Sequence, residues 1–219
     1  MRSIRDRLLG SFTGIDHGFG SAQTATPPDV VLLQQRHTNI VMVIDDTTLD
    51  RQQTADAMLT NIPEIAIGIK TADCLPILFY DPDVSAIGAI HAGWRGLANR
   101  VISGAIERLC TAYAAAPGHL YAAIGPAICR NCYEVGAEVT DSIARVTDLR
   151  GVFRQTSAGK GLLDTTAIAL RQMEAAGIPA SHLSAVGLCT HCSGGFHSYR
   201  AGSTGRQVSY IRLCHPGTY

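Results

Sequence analysis

The chain has 219 residues, 46% apolar and 16% charged, with 18 Lys and Arg balancing 18 Asp and Glu. That composition can bury a substantial core, which excludes disorder, and a zero formal net charge offers no bulk attraction to nucleic acid or a membrane surface. The length suits one large domain or two small ones. With no linker, repeat or low-complexity tract, a single domain over 1–219 is expected.

Residues 1–11 alternate charged and apolar side chains and lack the apolar core of a signal peptide, and no apolar run is long enough to span a bilayer. The cytoplasm is the expected compartment. Residues 1–13 give a weak signal for a short strand or helix. Residues 21–29, with two prolines among threonines and alanines, read as a connection. Strands rich in β-branched residues are expected over 30–35 and 39–44, on either side of Arg36-His37-Thr38. Residues 45–54 read as a polar loop and 55–59 as a short buried turn. Residues 64–70 read as a strand with Ile65, Ile67 and Ile69 on one face.

Two apolar runs then flank Asp81-Pro82-Asp83-Val84, which is a hairpin signal. If those residues are the loop, Tyr80 faces Ser85 and Cys74 lies directly opposite His91, with side chains about 4.5–5.5 Å apart on one face. A slip of one residue would put them on different faces. Gly93-Trp94-Arg95-Gly96 turns the chain into a helix over 97–115, where Leu97, Val101, Ala105 and Leu109 fall near the helical period, and Pro117-Gly118 stops it. A buried strand over 120–124 precedes a helix over 134–146 and a loop over 151–161. A third helix starts at 163 with Asp164 as its N-cap, and Gly177-Ile178-Pro179 closes it. Residues 184–190 and 207–213 read as strands. Helices interspersed among strands without strict alternation indicate an α/β (α+β) fold with a layered, mixed sheet rather than a Rossmann fold. No Gly-x-Gly-x-x-Gly or phosphate-loop pattern points to a nucleotide cofactor.

A thiolate and an imidazole at hairpin separation can share a metal ion or form a nucleophile–base pair. An open catalytic zinc site needs a third protein ligand, and His37, set between two strands, is the candidate. Two neutral imidazoles and one thiolate would leave zinc with one net positive charge, suited to binding an anion or activating water. The alternative is a turn histidine, a hydrogen-bonded strand-end histidine and a core cysteine. Arg95, between two glycines before a helix, either holds a phosphate or packs on Trp94. His197, Tyr199, Arg200 and Arg206 form a second polar cluster that either binds phosphate or ribose or is ordinary surface. Asp73, beside Cys74, would point to the opposite face, to orient a ligand from a neighbouring strand or to cap the turn. Seven cysteines are an odd number for a disulfide framework. Cys129 with Cys132, and Cys189 with Cys192, have zinc-site spacing. Their separation in sequence favours small buried thiols instead.

Gln35-Arg36-His37, Ala72-Asp73-Cys74-Leu75-Pro76, His91-Ala92-Gly93-Trp94-Arg95-Gly96, Ile124-Gly125-Pro126-Ala127-Ile128, Cys132-Tyr133-Glu134-Val135-Gly136, Cys189-Thr190, Ser198-Tyr199-Arg200 and Thr204-Gly205-Arg206 occur in this order. Together, over roughly 32–213, they resemble the signatures of the laccase-domain or polyphenol-oxidase-like family, whose bacterial members are also called peptidoglycan editing factors and have been recast as purine nucleoside phosphorylases. The resemblance implies a layered α/β fold related to cysteine hydrolases and a zinc ion on His37, Cys74 and His91. It also implies phosphorolysis of inosine, guanosine, adenosine and methylthioadenosine, with adenosine deamination alongside. Arg95, Tyr199 and Arg200 are assigned to the nucleoside or phosphate. The segment between Phe19 and Gln35 is shorter than its family counterpart and lacks the Arg-x-Gly-Gly loop and Asn-Arg helix expected to border the substrate.

Two other activities remain. A copper phenol oxidase would want a weak axial ligand such as Met and, for multicopper chemistry, many histidines; eight His without a His-x-His pattern argue against it. A metal-free hydrolase would use Cys74 as nucleophile and His91 as base. A non-catalytic part in cell-wall fidelity is a further possibility.

Overall fold

The computed structural model describes residues 3–45 and 52–214. The first two residues of the weak N-terminal segment, and 46–51 of the expected polar loop, lie outside the described residues. The chain opens with strands β1 (Ile15–Gly18), β2 (Val41–Val43), β3 (Ala57–Thr60) and β4 (Ala66–Thr71). A hairpin of β5 (Leu75–Asp81) and β6 (Ala86–Ala92) leads into helices α1 (Trp94–Ala98) and α2 (Val101–Tyr113), then strand β7 (Tyr121–Ile124). Strand β8 (Glu134–Gly136) precedes helix α3 (Ala137–Ala144). Strands β9 (Phe153–Ser157) and β10 (Lys160–Leu163), helix α4 (Thr165–Ala175), β11 (Leu183–Ala185) and β12 (Gln207–Leu213) follow.

The hairpin is the middle of a six-stranded mixed sheet of order β11-β7-β5-β6-β3-β2, parallel at its two outer pairings. Every residue of β5 and β6 is buried, because the sheet is covered on both faces. Leu75, Ile77, Phe79, Ile90 and Ala92 point to one side, where Val101, Ile102, Ile106 and Leu109 of α2 and Ile168 and Met173 of α4 complete a core. Leu78, Tyr80, Ile87 and Ala89 point to the other side, against a second sheet of order β1-β12-β4 that contributes Ile67, Ile69, Ile211 and Leu213. Helices, mixed sheet and small sheet therefore stack as the expected layered sandwich. A third sheet, β8-β10-β9, stands beside it. Among the described residues no helix is long and apolar enough to cross a membrane.

The hairpin register differs by two residues from the expected one: His91 faces Pro76, and Asp81 pairs with Ala86. Asp81 is the last strand residue because its carboxylate turns back to accept the amides of Asp83 (2.9 Å) and Val84 (3.3 Å), and Ser85 takes φ 48° to finish the turn. An even shift preserves side-chain faces, so Cys74, just ahead of β5, stays on the side of His91 but diagonal to it.

Elsewhere tertiary context overrides local pattern. Residues 30–35 make only isolated bridges, Val31 to Ile67 and Gln34 to Thr54. The expected buried turn at 55–59 is largely the core strand β3. The expected helix over 97–115 is two helices: α1 begins at Trp94, inside the stretch read as a turn, and Arg100 at φ 59° breaks the path before α2. The carbonyl of Leu97, freed at that break, accepts from Gln172 Nε2 at 3.1 Å and from the Arg100 amide at 3.2 Å. The first residues of the expected 134–146 helix form β8, because Val135 pairs with Gly161. The loop expected over 151–161 is largely a hairpin, with Gly159 at φ 72° in its turn. The strand expected over 184–190 stops at Ala185, and Cys189 makes a separate bridge to Ala127. Strand 207–213, and the Asp164 N-cap, are as expected.

Candidate active site

His91, at the end of β6, is 4% exposed. Its Nδ1 lies 2.7 Å from Oδ1 of Asp56, which fixes that nitrogen as the donor and turns Nε2 outward. Asp56 is itself 1% exposed and accepts the backbone amides of Arg36, His37 and Thr38 together with the Thr38 hydroxyl. One carboxylate thus shapes the Arg36-His37-Thr38 loop and orients His91 at once. The loop holds His37 at φ 59°, a left-handed conformation that a non-glycine residue keeps only when its surroundings demand it.

That conformation places His37 Nε2 3.9 Å from Cys74 Sγ and its ring 4.8 Å from that of His91, nearly edge-on. Ligand atoms of His37, Cys74 and His91 all lie within 4.8 Å of one another. Zinc bonds of about 2.0 Å to nitrogen and 2.3 Å to sulfur span such a set after a shift of under an ångström. The neighbouring backbone leaves room for this: a Cβ on Gly93 would stand 3.0 Å from both Cys74 Sγ and His37 Cδ2. Donor chemistry, spacing and cradle therefore fit the implied metal, and the three residues read from the sequence are brought together.

Burial alone would raise the Cys74 thiol, but hydrogen bonds and charge from His37 and His91 outweigh it and bring the pKa down to about 6. Burial alone would lower His91, yet Asp56 and Cys74 push it up to about 9. Asp56 is held well below the usual carboxylate range: His91 and Thr38 bonding outweighs the cost of burying its charge. Without a metal the site is thus a thiolate beside an imidazolium. With one, both imidazoles bind as neutral ligands.

The trio lies in a cleft of about 840 Å³ bordered by Arg36, Lys70, Arg95, Arg200 and Arg206, five cationic side chains in a chain of no net charge. Arg95 lies 4.4 Å over the Trp94 ring, so the two readings of this residue coexist: it is packed on Trp94 and borders the cleft. The Arg200 guanidinium donates to the carbonyl of Glu134 at 2.9 Å and covers the Tyr133 ring at 5.4 Å. Burial, with the Cys74 charge next in weight, pushes the Tyr133 phenol up to about 12, so it remains a hydroxyl donor. Asp73, at φ 88°, accepts from Thr190 Oγ1 at 2.6 Å and from the Arg200 amide at 2.7 Å, so it pins the opposite wall and orients no ligand. Tyr199 borders the cleft but is 73% exposed. His197 bonds Ser203 instead of joining the cleft.

Sequence reasoning missed Asp56 and Lys70. Asp56 did carry a signal: a lone carboxylate between alanines in the apolar stretch Ala55-Asp56-Ala57-Met58-Leu59 must find partners if that stretch is buried. Lys70 carried none, since only the pairing of β4 with β12 fixes which way its exposed side chain points.

A family model described as multi-copper polyphenol oxidoreductase laccase matches residues 19–214. A relative named adenosine deaminase RL5, from an unknown prokaryotic organism, is 34% identical over 176 residues, which is 75% of this chain and 66% of that protein. Another, named purine nucleoside phosphorylase ORF3 from Streptomyces griseus, is 37% identical over 190 residues, 85% of this chain and 75% of that protein. The chain thus spans about two thirds to three quarters of the length of these relatives. Among solved structures, YlmD from Geobacillus stearothermophilus superposes with a TM-score of 0.88 at 24% sequence identity, over 98% of this chain and 97% of that one. That likeness concerns the fold.

Proposed function

This chain belongs to the multi-copper polyphenol oxidoreductase laccase family, and from that premise we propose that it is a zinc-dependent purine nucleoside phosphorylase that also deaminates adenosine. Inosine, guanosine, adenosine and methylthioadenosine are the proposed substrates. The observation that carries the reading is a set of two imidazoles and a thiol at the floor of a cleft bordered by five cationic side chains. The names of the two relatives support the same substrate class.

His37, Cys74 and His91 would hold zinc, which when bound would supply Lewis-acid polarisation. Arg95, Arg200, Arg206 and Lys70 bind inorganic phosphate and keep it ionised. Trp94 supports Arg95 from below, which limits the side-chain entropy lost on binding. Tyr133 donates its hydroxyl, and Asp73 holds the Arg200 backbone in place through the carboxylate. In phosphorolysis a phosphate oxygen bonds to the anomeric carbon while the carbon–nitrogen bond breaks; the purine leaves with that electron pair and takes up the proton that hydrogen phosphate gives up. Fixed cations near the attacking phosphate lower the barrier by orientation and charge stabilisation. The seven cysteines, all thiols here, suit the cytoplasm, where the protein is proposed to act.

A second reading has an observation of its own. Asp56, His91 and Cys74 are arranged as orienter, base and nucleophile, the order a metal-free cysteine hydrolase needs. One experiment separates the readings: purify the protein without added metal, measure zinc and copper, and follow hypoxanthine release from inosine with and without phosphate. The expected result is phosphate-dependent release, with one equivalent of zinc and all activity lost in Cys74→Ala. Phosphate-independent turnover of amides or esters by protein that loses no metal in Cys74→Ala would replace this reading with the hydrolase, and stoichiometric copper with phenol oxidation would replace it with the oxidase.

A further inference from the structure

A second group of metal-ligating side chains lies behind the cleft wall. The sulfurs of Cys129, Cys132, Cys189 and Cys192 all fall within 4.8 Å of one another. The two pairs are far apart in sequence, but the sheet brings them together. Strands β7 and β11 run parallel and adjacent, so the segments that follow them leave the sheet in the same direction. The pairing resumes at the bridge between Ala127 and Cys189, where the Ala127 amide donates to Leu188 O at 3.2 Å and the Thr190 amide to Ala127 O at 3.1 Å.

Each Cys-x-x-Cys segment is bent back on itself. The Cys132 amide donates to the carbonyl of Cys129 at 3.0 Å. In the other segment the Ser193 amide donates to the carbonyl of Cys189 at 3.0 Å, and the Ser193 hydroxyl accepts the Cys189 amide at 3.0 Å. The Cys129 amide points across the gap to Cys189 Sγ at 3.2 Å, an N–H to sulfur bond that favours a thiolate acceptor. Neither segment uses a glycine to make its turn.

We propose that Cys129, Cys132, Cys189 and Cys192 hold one structural zinc ion, which staples the segment after β7 to the segment after β11. Zinc–sulfur bonds of about 2.3 Å in a tetrahedron separate the sulfurs by about 3.8 Å. A set already gathered within 4.8 Å closes on a single ion by sub-ångström shifts. A four-iron cluster spreads its thiolates over different iron atoms and needs a wider cage. Binding releases the thiol protons to solvent and leaves four sulfur–zinc bonds in their place. Cys192 is exposed, which gives the ion an entry path, while Cys189 is buried and anchors the site.

The staple reaches the cleft through two short paths. The Ile128 amide donates to the carbonyl of Asp73 at 3.0 Å, and Thr190, next to Cys189, donates to the Asp73 carboxylate. Tyr133, next to Cys132, borders the cleft itself. The zinc therefore fixes the wall that carries Asp73, Tyr133 and Arg200, and touches no substrate.

Zinc content tests this independently of catalysis. In protein purified without chelator or added metal, wild type should carry two zinc ions per chain, Cys74→Ala one, and Cys129→Ser/Cys189→Ser one. Cobalt exchanged into Cys74→Ala should show the intense visible bands and near-ultraviolet thiolate charge transfer of a tetrahedral four-sulfur site. If the double variant does not fold, Cys192→Ser, altered at the exposed ligand, should fold and release its second zinc to a chelator at least 10-fold faster than Cys74→Ala does. A wild type whose zinc is wholly lost in Cys74→Ala overturns the proposal even if phosphorolysis is intact. So do disulfides among these cysteines in the unreduced protein, or bound iron. Failure of the nucleoside reading alone would leave a zinc that survives Cys74→Ala.

Discussion

Asp56 does more for the cleft than any residue that faces it. Its two oxygens satisfy three backbone amides, a hydroxyl and an imidazole, so it couples the shape of the His37 loop to the tautomer of His91. Asp56→Asn keeps the size but replaces one acceptor with a donor that faces existing donors. Second ligand-orienting partners of this kind are worth about 10–100-fold in metal affinity, and a loss of that order is expected in chelator competition. Cys74 gives a pH signature of the same constellation. Its thiol is lowered from 9.0 to about 6 in the absence of metal, so thiolate is the main form above that pH. Alkylation of Cys74 in zinc-stripped protein, followed on its own peptide, should rise with a midpoint near pH 6. A midpoint near that of a free thiol would mean that the two histidines do not engage it. Zinc should protect Cys74 across the whole range.

At the scale of elements, the parity of the hairpin was legible and its register was not. Alternation alone put Cys74 and His91 on one face, whereas the position of the turn depended on whether Asp81 ends the strand or begins the loop, which its own carboxylate decides. The α1–α2 break was invisible for a related reason: the apolar stripe runs through it, and the donor that satisfies Leu97 comes from α4, distant in the chain. Where a cap is local, the sequence suffices. Asp164 accepts the Ala167 amide at 2.9 Å, and Asp164→Ala should cost about 1 kcal/mol in urea unfolding, from loss of this cap, with metal content unchanged. Strands β8 and β9 were misread because they are short and largely exposed, so no apolar alternation marks them.

On the scale of the whole molecule, a neutral chain has built a cationic cleft by placement alone. Arg36, Lys70 and Arg95 come from three separate segments, and Arg200 and Arg206 from a fourth. Their combined field should attract phosphate and be screened by salt, since the Debye length falls from about 10 Å at 0.1 M to about 3 Å at 1 M ionic strength. Phosphate KM should therefore rise several-fold over that range while kcat changes less, and Arg206→Ala should raise KM for phosphate and flatten the salt dependence. A KM indifferent to ionic strength would remove these side chains from phosphate binding.

The sequence by itself indicated the layered α/β class, the trio His37, Cys74 and His91 that meets at the cleft, and Arg95, Arg200 and Arg206 on its border, because alternation, turn chemistry and motif spacing are local properties of the chain. The tertiary structure alone decided that Asp56 stands behind His91, that Lys70 faces the cleft, and that two distant Cys-x-x-Cys segments meet. Those facts depend on which strands lie side by side, and strand pairing is chosen by burial over the entire core, which no local window of sequence contains.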